Sequence, residues 1–278
     1  MEVIAYMSLD GVPPEKIVVL PNLETFSLLV SDREAGYKVA THISCPSARY
    51  TSLTYKKGAD VVTPDNIFPT VGSLIAIVYQ YSRGPVEKAI LEMSAIPSIT
   101  CKLTFLSPGP NVIELCFRVS EEDADPEDLF ALLPGDMLNQ VFTQATRTIR
   151  NHPQLENLKC LHFLHSPFSY TDIPHLASEV GQLFESLGPL HELVISNCDL
   201  RPYFCSSFDF RPDSIVFPLI KEFTISHPIS PFSPQCTTAI LEFAKSQYAL
   251  GIPLERVIVR RESMPAGMEE GLKPWVAV

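Results

Sequence analysis

The chain has 278 residues, of which 46% are hydrophobic and 19% charged, and its formal net charge is −11. This composition is typical of a folded protein, and we expect one domain over residues 1–278. The negative charge argues against nucleic acid and anionic membrane surfaces as partners, because phosphate groups require clustered lysine and arginine side chains. No segment approaches the roughly 18 consecutive apolar residues of a membrane span.

The cysteines and the N-terminus indicate a cytoplasmic or nuclear protein. The 7 cysteines form an odd set without a C-x-x-C pair, which suits neither a disulfide framework nor a zinc knuckle. The opening MEVIAYMSLDG has no basic residue and no long apolar stretch, so it does not have the pattern of a secretory signal.

In the N-terminal part of the chain, three segments alternate apolar and polar residues as half-buried strands do. Their apolar positions are Leu23, Phe26 and Leu28, then Thr51, Leu53 and Tyr55, then Val86, Ala89 and Leu91. Between the second and the third, Val71, Leu74, Ile75 and Val78 have the spacing of one helix face. The order strand, helix, strand is therefore predicted here.

Residues 96–134 interrupt this regularity. ITCKLTFLS and VIELCFRVS flank the turn PGPN and predict two antiparallel strands, which we interpret as a β-hairpin insertion or an extension of the sheet. The acidic run at 121–128 follows, and it is either a solvated loop or a patch that recruits a basic partner.

The C-terminal half alternates helices with strands. Apolar stripes predict helices around 137–149, 173–187 and 239–244, and strands are expected around Leu161, Leu193, Phe223 and Val257. The clearest strand lies in LGPLHELVISNCDL, where Leu190, Leu193, Ile195, Cys198 and Leu200 fit the leucine-rich-repeat template. The copies begin 30 to 34 residues apart, so we expect an α/β fold, namely an irregular, horseshoe-like leucine-rich-repeat solenoid with a β-hairpin insertion.

Long stretches of this sequence resemble F-box proteins with irregular leucine-rich repeats, a family greatly expanded in basidiomycete fungi. The stretches are HISCPSARYTSLTY, ITCKLTF, FTQATRTIRNHPQL, EVGQLFESLGPLHEL, CDLRPY, IVFPLIKEFTISHP, AKSQYALGIPLERVIVR and LKPWV. The resemblance implies a non-catalytic, protein-binding region that recognises the substrate of a ubiquitin ligase.

The chain departs from that family in one respect, since we find no F-box before the first strand. Residues 133–142 imitate an F-box opening, but we interpret them as one repeat helix after a Pro-Gly turn. Binding of the ligase adaptor is therefore doubtful. The alternatives are a free-standing leucine-rich-repeat scaffold unconnected with ubiquitin and a truncated remnant of such a protein.

The predicted partner surface is the concave side of the repeats, to which the residues between the template positions point. We expect a protein target to contact a row of these residues, namely His162, Glu192, Val194, Ser196, Glu222, Thr224, Arg256, Ile258 and Arg260.

Other candidate sites are weaker. Arg256, Arg260 and Arg261 could bind an anion, or they could pair with Glu255 and Glu262. His162 and His165 have a spacing seen in some metal sites, but we expect no metal, no cofactor and no catalytic residue. At Cys198 we expect a side chain that satisfies backbone groups in the turn, as at the Asn/Cys position of the repeat template.

Overall fold

A computed structural model describes most of the chain. Every structural statement below concerns the following residues: 17–30, 39–57, 78, 80–81, 84–94, 99–119, 135–152, 157–164, 173–187, 190–198, 220–226, 234–259 and 265–276. The acidic run, most of the helix expected around residue 74, and His165, Arg260, Arg261 and Glu262 lie outside the described residues.

The strands and helices alternate in the C-terminal half, whereas strands dominate the N-terminal half. The strands are β1 (Val18–Val19), β2 (Thr25–Val30), β3 (Ile43–Ser44), β4 (Tyr50–Lys57), β5 (Lys88–Ser94), β6 (Ile99–Leu106), β7 (Val112–Val119), β8 (Cys160–Leu164), β9 (Leu190–Ser196), β10 (Ile220–Ser226) and β11 (Arg256–Val259). The helices are α1 (Gly135–Arg150), α2 (Ile173–Ser186), α3 (Pro234–Ala249) and α4 (Met268–Leu272).

Nine of these strands form one sheet in the order β11-β10-β9-β8-β5-β6-β7-β4-β2. The neighbours pair in parallel except at β5 with β6 and at β6 with β7, where the pairing is antiparallel. The short strands β1 and β3 form a separate parallel pair just before β2 and β4. The sheet therefore consists of two parallel blocks, β11 to β5 and β7 to β2, joined through the single antiparallel strand β6.

One face of the sheet forms the hydrophobic core, because apolar side chains occupy every second position of each strand. Buried members from successive strands are Leu28, Leu53, Leu115, Leu103, Leu91, Phe163, Ile195 and Ile225. The polar residues between them point to the other face and remain partly exposed. This alternation fixes which side chains can meet a partner.

The helices pack on the core face through aromatic side chains. The ring of Phe163 in β8 lies 6.1 Å from that of Phe142 in α1 and 6.4 Å from that of Phe184 in α2. Phe243 of α3 lies 6.1 Å from Phe223 of β10. Burying each of these side chains contributes roughly 1.5–3 kcal/mol. The helices thus cover one face of the sheet and leave the opposite face to solvent.

A buried ion pair joins α1 to α2. The Glu179 side chain is only 5% exposed, and its carboxylate accepts a hydrogen bond from Arg147 Nε at 3.1 Å. Arg150 Nη1 lies 3.7 Å from the same carboxylate. The hydrogen bond with Glu179 raises the pKa of the Arg147 guanidinium. Both basic residues belong to the last turn of α1, where positive charge also favours the helix dipole.

The expectation of an irregular leucine-rich-repeat solenoid with a hairpin insertion is wrong. The chain has a mixed α/β fold with a nine-stranded, mostly parallel sheet. In a solenoid each repeat strand pairs with the strand of the repeat before it, but β5 is separated from β4 by the hairpin strands β6 and β7, of which β6 is antiparallel to its neighbours and both lie inside the sheet. The template matched the alternation of apolar residues, which any half-buried strand shares.

The segment that imitates an F-box opening is described from residue 135 onwards. Residues 135–142 are the first turns of α1, a single helix whose chain continues to β8. This agrees with the interpretation of that segment as one helix.

Candidate functional site

The face of the sheet opposite the helices, called here the open face, carries the side chains predicted to bind a partner. Across β5, β8, β9, β10 and β11 the strand register aligns these side chains in three rows. The charged row contains Lys88, Cys160, Glu192, Glu222 and Arg256. The apolar row is named for Ile90, Val194 and Ile258, and it also contains His162 and Thr224 on the strands between them. The hydroxyl row is named for Ser196 and Ser226, and it also contains Glu92 and Leu164. All predicted partner residues except Arg260 are in these rows.

His162 and Glu192 link the apolar row to the charged row. His162 Nε2 lies 3.1 Å from Glu192 Oε2, and the two side chains are 13% and 31% exposed. Burial lowers the pKa of His162, which the hydrogen bond with Glu192 opposes and the charge of Lys88 reinforces. Burial acts to raise the pKa of Glu192, but the hydrogen bond from His162 and the charge of Lys88 bring it below its ordinary value. Both shifts describe a neutral imidazole whose Nε2–H donates to an ionised carboxylate.

Cys160 lies beside this pair but is not an activated nucleophile. Burial and the negative charge of Glu192 raise the pKa of its thiol, so the protonated form predominates at neutral pH. Cys116 on β7 is similar, since burial and Glu114 raise the pKa of its thiol. Nucleophilic catalysis by cysteine requires the opposite shift, towards the thiolate.

Arg256 forms an ion pair with a neighbour across the sheet. Its guanidinium donates to the Glu222 carboxylate on β10, from Nε at 3.1 Å and also from Nη2. Glu255, the pairing partner considered from the sequence, instead accepts from Lys221 Nζ at 2.8 Å. Arg256 is the first residue of the arginine cluster that could bind an anion. Its guanidinium is already paired with the Glu222 carboxylate, so Arg256 does not support an anion-binding site.

The hydroxyl row contributes hydrogen-bonding groups next to the apolar row. Ser226 Oγ donates to Ser196 Oγ at 2.8 Å, so each hydroxyl on β9 and β10 is held in place by the other. At the end of the apolar row Ile258 is 40% exposed. The rows therefore place apolar contact area between ion pairs on one side and hydroxyl groups on the other.

The sequence did not predict that the charged residues of the hairpin lie on the open face. Lys102 of β6 lies 3.2 Å from Glu92 on β5 and 3.8 Å from Glu114 on β7. Lys102 and Glu114 extend the open face beyond the rows, whereas Glu92 already belongs to the hydroxyl row. The alternation in TCKLTF and VIELCF could have identified Lys102 and Glu114 once the hairpin was taken as an extension of the sheet.

The described residues contain no group of three or more histidine, cysteine, aspartate or glutamate side chains that could hold a metal ion. The prediction that the Cys198 side chain satisfies a backbone group in the turn is confirmed. Cys198 is buried, and its Sγ donates to the carbonyl oxygen of Ser196 at 3.1 Å. The preceding Asn197 has a positive φ of 52°, which places the turn directly after β9. Cys236 in α3 is disulfide-bonded, which the cysteine pattern did not predict, whereas Cys45, Cys101, Cys116, Cys160 and Cys198 are thiols outside any disulfide.

Among the described helices, none is long and apolar enough to cross a lipid bilayer. No protein-family model matches this chain, and neither a curated protein nor a solved structure is similar enough to count as a match.

Proposed function

We propose that this protein is a non-catalytic binding protein whose open face holds a protein partner. The observation that carries the proposal is the apolar row, which crosses five adjacent strands between the charged row and the hydroxyl row. Protein interfaces commonly have this layout, with an apolar centre and a polar rim. The sheet holds the rows on a rigid scaffold, so little conformational entropy is lost on binding.

The charges of the rows favour a protein over nucleic acid. Lys88 and Arg256 are the two basic residues of the rows, against three acidic residues, Glu92, Glu192 and Glu222. Arg256 is held by Glu222, and His162 is neutral beside Glu192. Over these rows a polyphosphate would meet one more negative than positive charge, whereas a partner with an apolar centre and a few polar groups at its rim would not depend on clustered positive charge.

The partner that the family resemblance suggests is the substrate of a ubiquitin ligase. In that arrangement the open face would select the target, and recruitment of the ligase adaptor would need a separate surface. Sequence resemblance is the only support for this part of the proposal, and the rival is a scaffold unconnected with ubiquitin. Protein binding by the open face is common to both.

A variant in the middle of the apolar row tests the proposal. Val194→Lys puts a charge at the centre of the surface without touching the core face, so we expect the affinity for a captured partner to fall at least about tenfold. Ser178→Lys is the matched control, because Ser178 is exposed on α2, on the helix side of the sheet. The measurement is quantitative mass spectrometry of proteins cross-linked to each purified variant.

Three results would decide the matter. Proteins lost with Val194→Lys but kept with Ser178→Lys support binding by the open face. Equal recovery with both variants contradicts it. A ligase adaptor and cullin among the recovered proteins would support the ubiquitin connection, and their consistent absence beside specific partners would favour the free-standing scaffold.

A further inference from the structure

The two edges of the nine-stranded sheet differ. At the β11 edge, Leu254 forms a parallel bridge with Val276, and α4 packs against α3 beside it. At the other edge, β2 pairs only with β4 among the described strands. An edge strand presents a row of backbone hydrogen-bonding groups that can pair with another chain.

The residues whose backbone groups point outwards can be read from the ladder. The N–H of Tyr50 donates to the carbonyl oxygen of Glu24 at 3.3 Å, and Thr25 is the register partner of Tyr50. In a parallel ladder with this register, Glu24, Phe26 and Leu28 direct their backbone groups towards β4. The N–H and C=O groups of the alternate residues, Thr25, Ser27 and Leu29, therefore point away from the sheet.

The side chains of this edge lack the usual protection against pairing. The segment TFSLLV has no charge and no proline, which are common devices for blocking an edge strand. Leu29 is 53% exposed on the open face. Just before β2, Ile17, Val18 and Val19 are each more than half exposed. Four of the eight large hydrophobic residues that are exposed in the described part of the chain therefore lie in or just before β2, and such a group indicates a contact surface.

We propose that β2 pairs with β2 of a second copy of this chain, antiparallel about a two-fold axis at Ser27. In this register Thr25 lies opposite the partner's Leu29, and Ser27 lies opposite the partner's Ser27. Antiparallel residues of this type exchange both backbone hydrogen bonds, which gives about six bonds across the join.

A second copy of the chain is the expected partner, because the side chains of β2 are complementary to those of an antiparallel β2. On the core face Phe26 lies opposite the partner's Leu28, so apolar side chains meet and both cores become continuous. Each chain carries a net charge of −11, but β2 has no charged residue. The β2–β2 contact therefore brings no charged side chains of the two β2 strands together. Isologous contacts of this kind close into a dimer rather than a filament.

The first test is the oligomeric state of the whole chain, measured by analytical ultracentrifugation over a range of concentrations. Ser27→Pro removes the outward N–H at the axis without removing a bond to β4, so we expect the dimer dissociation constant to rise about tenfold or more. Ser178→Lys on the exposed side of α2 is the control and should leave the dimer unchanged. Binding of a partner to the open face does not enter this measurement.

A second pair of variants tests the register and does not depend on tolerance of proline. T25K/L29K places like charges opposite each other across the axis, whereas T25K/L29E places opposite charges there. We expect the T25K/L29K dimer to be at least about tenfold weaker than the T25K/L29E dimer. A chain that stays monomeric at all concentrations overturns the proposal, as does a dimer that responds equally to both pairs.

Discussion

Removing one buried hydroxyl should stabilise the protein. Thr51 of β4 is 1% exposed on the core face, where its register neighbours are Phe26 and Ile113, and its Oγ1 has no hydrogen-bond partner among the described residues. An unsatisfied buried polar group costs about 1–3 kcal/mol. Thr51→Val replaces the hydroxyl by a methyl group of similar size and keeps the β-branched shape that suits a strand. We expect the free energy of unfolding to rise by about 1–2 kcal/mol.

The matched control is Thr54→Val in the same strand. Thr54 is only partly buried and points to the open face, so the same chemical change should alter the unfolding free energy by less than about 0.5 kcal/mol. Urea unfolding followed by circular dichroism at pH 7 measures both variants. If Thr51→Val destabilises the protein more than Thr54→Val does, the Thr51 hydroxyl has a partner in solution and the reasoning fails.

Three further changes test other parts of the core. Asn139→Leu in α1 removes a buried amide whose Nδ2 and Oδ1 have no partner in the described part of the chain, so urea unfolding should show stabilisation of about 1 kcal/mol, and destabilisation would show that the amide is satisfied. Glu179→Gln leaves Arg147 without its carboxylate and should cost about 2 kcal/mol in the same assay, an expectation that a neutral result would refute. Burial lowers the pKa values of His152 and His162 below 6.5, because the folded state disfavours a charged imidazole. The contribution of each histidine to the free energy of unfolding is therefore complete above pH 6.5 and declines as the pH falls, by at most about 1.4 kcal/mol per pH unit. Unfolding curves from pH 7 to pH 5 check this, and His152→Phe should reduce the slope.

The sequence predicted strands and faces better than it predicted topology. Leu193 and Ile195 alternate with Glu192 and Val194, and the structure buries the first pair in the core and directs the second to the open face. Alternation is a local property, so it can be read from a few residues. It does not determine which strand is the neighbour, because pairing joins residues far apart in the chain. For this reason the sequence leaves open whether the hairpin at 99–119 is an insertion or an extension of the sheet, and only the pairing of β5 with β6 and of β7 with β4 places it within the sheet.

Side-chain contacts of the site that depend on strand pairing could not be predicted from the sequence either. The Glu222 partner of Arg256 is 34 residues away, whereas the sequence pointed to the adjacent Glu255. Choosing between them requires the β10–β11 register, which aligns Glu222 with Arg256. Cys198 was predictable, because its contact with the Ser196 carbonyl spans only two residues.

The antiparallel hairpin within the sheet has a consequence for the order in which the chain folds. Strands β5, β6 and β7 are consecutive and form a meander over residues 88–119, so they close through short loops. Parallel pairing of β4 with β7 and of β5 with β8 must instead close segments of 62 and 72 residues. Since the entropic cost of closure grows with loop length, the meander is expected to form first and to serve as a nucleus with two growing edges. Amides of β6 would then gain protection from hydrogen exchange earlier in refolding than those of β2 or β11.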